Sequence, residues 1–270
     1  FPLFSWLPDS YPTAPTTITA VFAGLLTKIG VYVMIRFHTL TEMDAIGPVI
    51  LVVAGATMLV GVAGALAQDD VKRILSFHIV SQIGYMLMGL GLFTVAGVAG
   101  AVLFLVHQIP VKTVLFLVGG LIEVDRGTSA LDRISGLIAS RPGIAALFAL
   151  PALSRAGLPP FSGFVAKLAL VDAGIDEVAV AIVVVALVGS LLTLMSMVKI
   201  WIGVCWGAPD GGASREVPAR SWSTMTSAAA VAVGVTLAIA VLSGPLWEMS
   251  ERAATELLDK EPYVTEVTSG

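Results

Sequence analysis

The chain has 270 residues, of which 57% are hydrophobic and 13% charged, with mean hydropathy +0.93 and a net charge of −4. A soluble domain carries about 25% charged residues, so roughly half the usual charge is missing and an ordinary soluble globular domain is excluded. A single cysteine, Cys205, excludes an internal disulfide framework and a four-thiolate metal site. No basic, aromatic-interleaved patch points to nucleic acid, and neither a cofactor nor a metal site is expected.

The opening stretch FPLFSWLPDSYPTAP lacks the basic region and continuous apolar core of a signal peptide. With Phe1 in first place, the expectation is a C-terminal portion of a longer protein. Apolar runs bounded by Gly, Pro and charge then predict an all-α polytopic membrane protein with about seven spans. They lie near 14–37, 45–67, 71–95, 97–122, 143–173, 178–206 and 222–246. Each has the roughly 20 helical residues needed to cross about 30 Å of hydrocarbon. The fifth run is too long for one straight helix and contains Gly157-Leu158-Pro159-Pro160-Phe161-Ser162-Gly163. Two prolines remove two backbone donors, so the helix should break near 157–163. Free backbone at membrane depth is tolerated only inside protein or beside water, an arrangement transporters use at ion sites. The tail from Trp247 reads as a short surface helix followed by loose residues.

Charge sets the expected orientation. One set of alternate loops holds Lys72, Arg73, Arg126, Arg133, Arg141, Arg215 and Arg220, against Arg36, Arg252 and Lys260 on the other. The positive-inside rule places the first set and the N-terminal segment in the cytoplasm, and the C-terminus outside.

Lys28, Lys112, Arg155, Lys167 and Lys199 remain once the loops are counted. A lysine at the bilayer centre costs about 2.5–3.5 kcal/mol even on a lenient scale, and four facing lipid would cost on the order of 10 kcal/mol. They must face protein or water. Lys28 lies about 14 residues into its span, roughly 21 Å along the helix and too deep to snorkel comfortably. Lys167 follows the break by about one turn. Lys112 follows Pro110, which opens local backbone, whereas Lys199 is near a span end and should snorkel. The structural alternative for Lys28 is a tie between two helices, and for His78 a satisfied polar residue in a bundle.

His107 and Lys112 are separated by about 7.5 Å of rise with Pro110 between them, a gap that water could bridge. Histidine passes protons in either direction near neutral pH. No acid stands at mid-depth, Asp172 lying near a helix end. An unpaired buried lysine can load and release a proton, because desolvation disfavours its charge; arginine cannot. The lack of carboxylates also argues against a dehydrated sodium site here. A haem held by His78 and His107 is a poor fit, since the two lie roughly 10 Å apart in depth. A purely structural subunit would leave the cost of the mid-depth lysines unexplained.

Four ordered stretches carry a resemblance: FPLFSWLPDSYPTAPTTITAVFAGLLTKIGVYVMIR, QDDVKRILSFHIVSQIGYMLMGLGL, LVHQIPVKTVLFLVGGLI and LSRAGLPPFSGFVAKLAL. They resemble the proton-conducting antiporter-like subunits of respiratory complex I, membrane-bound hydrogenases and Mrp-type multisubunit cation/proton antiporters. His78 within SFHIVSQIGY, the HQIPVK spacing and the tail AATELLDKEPYVTEV resemble the Mrp-type D-subunit branch.

The resemblance implies a fourteen-helix fold with two inverted five-helix repeats. Residues 1–44 would end the first repeat, 45–206 form the second, and 207–270 supply the last helix and tail. By resemblance, Lys28 matches the proton-path lysine of the eighth helix, His107 and Lys112 the eleventh-helix pair, and Lys167 the lysine of the broken twelfth helix. His78 joins them as a further candidate. The implied function is an ion-transporter subunit, not an enzyme. It would sit in the cell membrane with sister subunits, moving protons and a monovalent cation, sodium by expectation. A proton-pumping subunit of a redox complex is the alternative. The family's seventh-helix lysine and fifth-helix glutamate would fall before Phe1. Arg155 stands where an apolar residue is expected.

Overall fold

The computed structural model describes residues 3–41, 46–207 and 219–259. Arg215, Lys260, the expected loose tail and the expected boundary at 44/45 lie outside the described residues. The described elements are helical: α1 (Trp6–Thr13), α2 (Thr16–Thr41), α3 (Gly47–Leu66), α4 (Val71–Leu92), α5 (Val95–Arg126), a 3-10 turn (Leu131–Arg133), α6 (Leu137–Ser140), α7 (Pro142–Ala156), α8 (Ser162–Asp176), α9 (Val180–Cys205), α10 (Ala219–Val241) and α11 (Ser243–Leu258). Among the described residues six helices are long and apolar enough to cross a membrane, and α7 is a further, shorter apolar helix beside these six. With α8 continuing α7 beyond a break, the expected seven spans are present.

Boundaries shift where local chemistry differs from the apolar runs. The lead-in before the first span contains a helix, α1, with Leu7 and Tyr11 buried. Asp9 pairs with Arg73 at 2.9 Å, and Thr19 Oγ1 donates to the Tyr11 carbonyl at 3.0 Å, tying α1 to α4 and α2. The fourth span is longer than expected, because Thr94 caps α5 by accepting from the Gly97 N–H and Gly127, at φ +75°, ends it. α5 runs through Pro110 without interruption. The last span ends at Val241 rather than 246, and the surface helix begins at Ser243 rather than Trp247.

α4 and α5 form the largely buried centre, and α10 is the most exposed span. α3 packs along α4 because small residues allow close approach. A Cβ on Gly84 would lie 2.7 Å from the Ala54 carbonyl oxygen, and one on Gly61 would strike the Ser81 backbone. α2 lies on α5, α9 on α3 and α7, and α10 on α5, α7 and α8.

The basic end is closed by a zipper of loops. Asp70 caps α4 by accepting from the Arg73 N–H at 2.9 Å and also accepts from Ser129 Oγ, while Val71 N–H donates to Ser129 O and Leu131 N–H to Asp69 O. Lys199 reaches Leu66 O (2.9 Å), Gln68 O (2.6 Å) and Asp69 (2.8 Å). It snorkels as expected, and it uses the open carbonyls at the end of α3 as its acceptors.

Candidate functional site

Two polar stripes build the site. On α4, His78, Gln82 and Tyr85 recur at helical spacing, as do Gln108 and Lys112 on α5 with His107 beside them, and all are buried. The helices pair antiparallel in a readable register. Lys112 Nζ approaches the Ile79 carbonyl at 3.5 Å, Gln108 Nε2 donates to Gln82 Oε1 at 3.1 Å, and Tyr85 stacks on Phe104 with ring centroids 5.4 Å apart.

Lys28 joins from α2. It is 3% exposed and donates to the Ala23 carbonyl of its own helix, which packs along α5.

The second group is built by the helix break. α7 stops at Ala156, where Gly157 adopts φ +85°, and α8 starts at Ser162. Gly163 lets the two halves close: a Cβ there would strike the Ser154 carbonyl oxygen and come within 2.9 Å of His107 Nε2. His107 Nδ1 pairs with Ser162 Oγ at 2.8 Å, and Ser162 Oγ lies 3.5 Å from Ser154 Oγ. Lys167 Nζ turns back to the Ala156 carbonyl (3.1 Å) and to Ser190 Oγ of α9 (2.8 Å), with the Tyr85 ring 5.2 Å away. A cavity of about 140 Å³ adjoins it, lined by Tyr85, Gly157, Phe164, Lys167, Ser190 and neighbouring apolar residues.

The five expected site residues are therefore all buried in the bundle. The hydrogen bonds of His107 and Lys112 run to different elements: His107 to Ser162 at the break, and Lys112 to the Ile79 carbonyl of α4. Five residues along a helix amount to about 140° of rotation beyond a full turn, so the two side chains leave α5 in different directions. His78 Nε2 pairs with Ser196 Oγ of α9 at 2.9 Å, which satisfies one ring nitrogen and leaves Nδ1 without a partner among the described residues.

Sequence reasoning missed Gln82, Tyr85, Ser162, Ser190 and Ser196. Their spacing was a signal: 78, 82 and 85 lie on one face of α4, and Ser190, Thr193 and Ser196 recur along α9. Several buried polar atoms meet no hydrogen-bond partner among the described residues: His78 Nδ1, Gln82 Nε2, His107 Nε2, Gln108 Oε1 and Arg155 Nε and Nη2. Among the described residues, the one buried acid is Asp125, in the last turn of α5 beside Arg126 and Arg141. The described interior holds ionisable and hydrogen-bonding groups, without carboxylates at mid-depth.

A model of the NADH:quinone oxidoreductase/Mrp antiporter transmembrane region matches residues 1–193. The D component of the Na(+)/H(+) antiporter of Alkalihalophilus pseudofirmus is 40% identical over 99% of this chain, which covers 54% of that protein. Among solved structures, a chain of the Mrp complex from Dietzia sp. DQ12-45-1b aligns with TM-score 0.89 and 36% identity, over 98% of this chain and 57% of that one. A chain of respiratory complex I from Thermus thermophilus aligns with TM-score 0.81 and 25% identity, over 96% and 56%. The chain thus spans about half the length of the relatives it matches.

Proposed function

The chain belongs to the NADH:quinone oxidoreductase/Mrp antiporter transmembrane family, and from that premise we propose that it is a proton-translocating part of a multisubunit Na+/H+ antiporter. It is a multi-pass protein of the cell membrane. The observation that carries the reading is the buried set of ionisable side chains on four helices, Lys28, His78, His107, Lys112 and Lys167, in an interior whose only buried acid among the described residues is Asp125. Lipid-facing placement of such groups is too costly to persist, and among the described residues none is paired with a carboxylate as a structural ion pair would be.

In this reading the proton moves from Lys28 on α2 to Lys112 on α5, passes through water to His107, and reaches Lys167 at the break. His107 is held in orientation by Ser162, and Lys167 by the Ala156 carbonyl and Ser190. His78, anchored to Ser196, is a side station on the same polar face. Protonating one station disfavours charge on the next, which couples them without large motion. Exchange with sodium would be driven by the proton gradient together with sister subunits. The helices from α3 to α9 would form the second five-helix repeat, with α2 closing the first and α10 standing as the last span.

The test is collapse of a proton gradient on sodium addition, in vesicles carrying the full-length protein with its partner subunits. Exchange should be lost in Lys167→Ala with assembly intact. Unchanged exchange would remove Lys167 from the path and leave this reading without its central residue.

A further inference from the structure

The proton path gives no role to the Tyr85 ring beside Lys167. A charged lysine amine carries three N–H donors. The Ala156 carbonyl oxygen at 3.1 Å and Ser190 Oγ at 2.8 Å account for two of them. The amine also lies over the face of the Tyr85 ring, with Nζ 5.2 Å from the centroid. Both side chains are buried. An aromatic face is negative and attracts a cation, most strongly where water is excluded. A neutral amine has no net charge for that face to attract.

Ring and amine are each held in place by other elements. The Tyr85 hydroxyl donates to the Ala186 carbonyl of α9 at 2.6 Å, and Phe104 of α5 stacks on the ring with centroids 5.4 Å apart. A Cβ on Gly189 would lie 3.1 Å from the hydroxyl oxygen, and one on Gly157 would lie 2.9 Å from Lys167 Cδ, so both glycines leave room for the contact. Ala186 and Ser190 are four residues apart on α9. The anchor of Tyr85 and the serine partner of Lys167 therefore stand on one face of the same helix.

α8 packs against α4, α5, α7, α9 and α10. Within the spans, the charged and titratable groups on these helices are His78 and Tyr85 on α4, His107 and Lys112 on α5, and Arg155 on α7. On α9, Lys199 is paired with Asp69 at the basic end. Residues 222–241 of α10 contain no Asp, Glu, Lys, Arg or His, and α8 itself carries Asp172 and Asp176 toward its far end. All of these stay in place when the Tyr85 ring alone is changed, so a comparison among rings at position 85 isolates the ring.

We propose that Tyr85 is a positioning residue that recognises the protonated form of Lys167, its ring face stabilising the ammonium at the helix break. This rests on the proton-path reading and adds to it a reason why so buried an amine accepts a proton. Tyr85 carries no proton along the path, because its hydroxyl is committed to the Ala186 carbonyl.

The sign of the effect follows from the state that the ring favours. Removing the negative face withdraws support from the charged amine alone, so Lys167 takes up its proton only at lower pH. Tyr85→Phe keeps the face and should leave the position of the exchange profile unchanged, whatever its rate. A ring-fluorinated phenylalanine at position 85 has nearly the same shape but a face drained of negative charge. Its profile should move to the acid side by about one unit, and that of Tyr85→Leu likewise.

The measurement is sodium/proton exchange against pH, in vesicles holding the full-length protein and its partners, with Lys167→Ala in parallel. The fluorinated ring carries the test if Tyr85→Leu does not insert into the membrane. Coincident profiles for the phenylalanine and fluorinated variants overturn the proposal. So does equal loss of exchange in all three variants while the protein remains in the membrane, since that marks a packing role. Exchange lost in Lys167→Ala beside coincident profiles discards the Tyr85 inference alone. Exchange retained in Lys167→Ala discards the proton-path reading and this inference with it.

Discussion

Lys167 Nζ reaches back across the helix break to the Ala156 carbonyl oxygen, 3.1 Å away, so a side chain of α8 completes the last turn of α7. Ser190 closes the triangle, because its Oγ accepts from Lys167 at 2.8 Å and donates to the same carbonyl at 3.1 Å. The broken helix is thereby held by the group proposed to carry the proton, and loss of charge at Lys167 loosens the clasp.

Ser190→Ala should weaken exchange less than Lys167→Ala does. The lysine keeps the Ala156 carbonyl and loses one neutral partner, a loss of about 1 kcal/mol of stabilisation. A several-fold fall in exchange rate is expected, against near-complete loss for Lys167→Ala. Equal loss in both would mean that the serine itself relays the proton.

Lys28→Arg and Lys112→Arg should each abolish exchange as fully as the alanine substitutions. Arginine preserves the positive charge but does not release its proton. Retained proton flux in either arginine variant would mean that charge alone suffices at that position.

Gln82 and Gln108 should show coupling in a double-mutant cycle read by thermal unfolding in detergent. Either single change to leucine strands a buried amide and should cost about 1–3 kcal/mol. The double leucine variant should be destabilised by less than the two single effects together, because no amide then loses its partner. Additive losses would mean that the 3.1 Å contact contributes little.

Gly163→Ala should lower the melting temperature and impair exchange together. Its Cβ would strike the Ser154 carbonyl oxygen and crowd His107 Nε2, and overpacking of this kind costs about 1–3 kcal/mol. A variant with wild-type melting and exchange would show that the junction of α7 and α8 has more freedom than its geometry implies.

Lys199→Ala serves as the contrast. It removes contacts with Leu66, Gln68 and Asp69 at the basic end, so stability should fall by about 1 kcal/mol while exchange per assembled protein stays near wild type. Loss of exchange at normal assembly would extend the path to this end of α9.

Much of the architecture was legible in the linear order of residues. Apolar runs located the spans because hydrocarbon demands continuous apolar helix of a set length. The Pro159-Pro160 pair located the break because two donors are missing there. Lys28, His78, His107, Lys112 and Lys167 stood out because an ionisable group within an apolar span is costly wherever it faces lipid. The position of Lys167 was equally plain, but nothing local to LSRAGLPP says that its amine returns to the Ala156 carbonyl.

Which residues lie together was decided only by packing. The sequence suggested His107 with Lys112 because they are near one another along one helix. Rotation about the helix axis turns them in different directions, and other helices supply their partners: Ser162 for His107, and the Ile79 carbonyl for Lys112. Gln82 meets Gln108 through the antiparallel register of α4 and α5, and Ser190 and Ser196 arrive from α9. Composition and periodicity determine which side chains must avoid lipid, because burial energy is a property of each residue type. The choice of hydrogen-bond partner depends on helix rotation, register and the direction of each Cα–Cβ bond, and these exist only once the helices have packed.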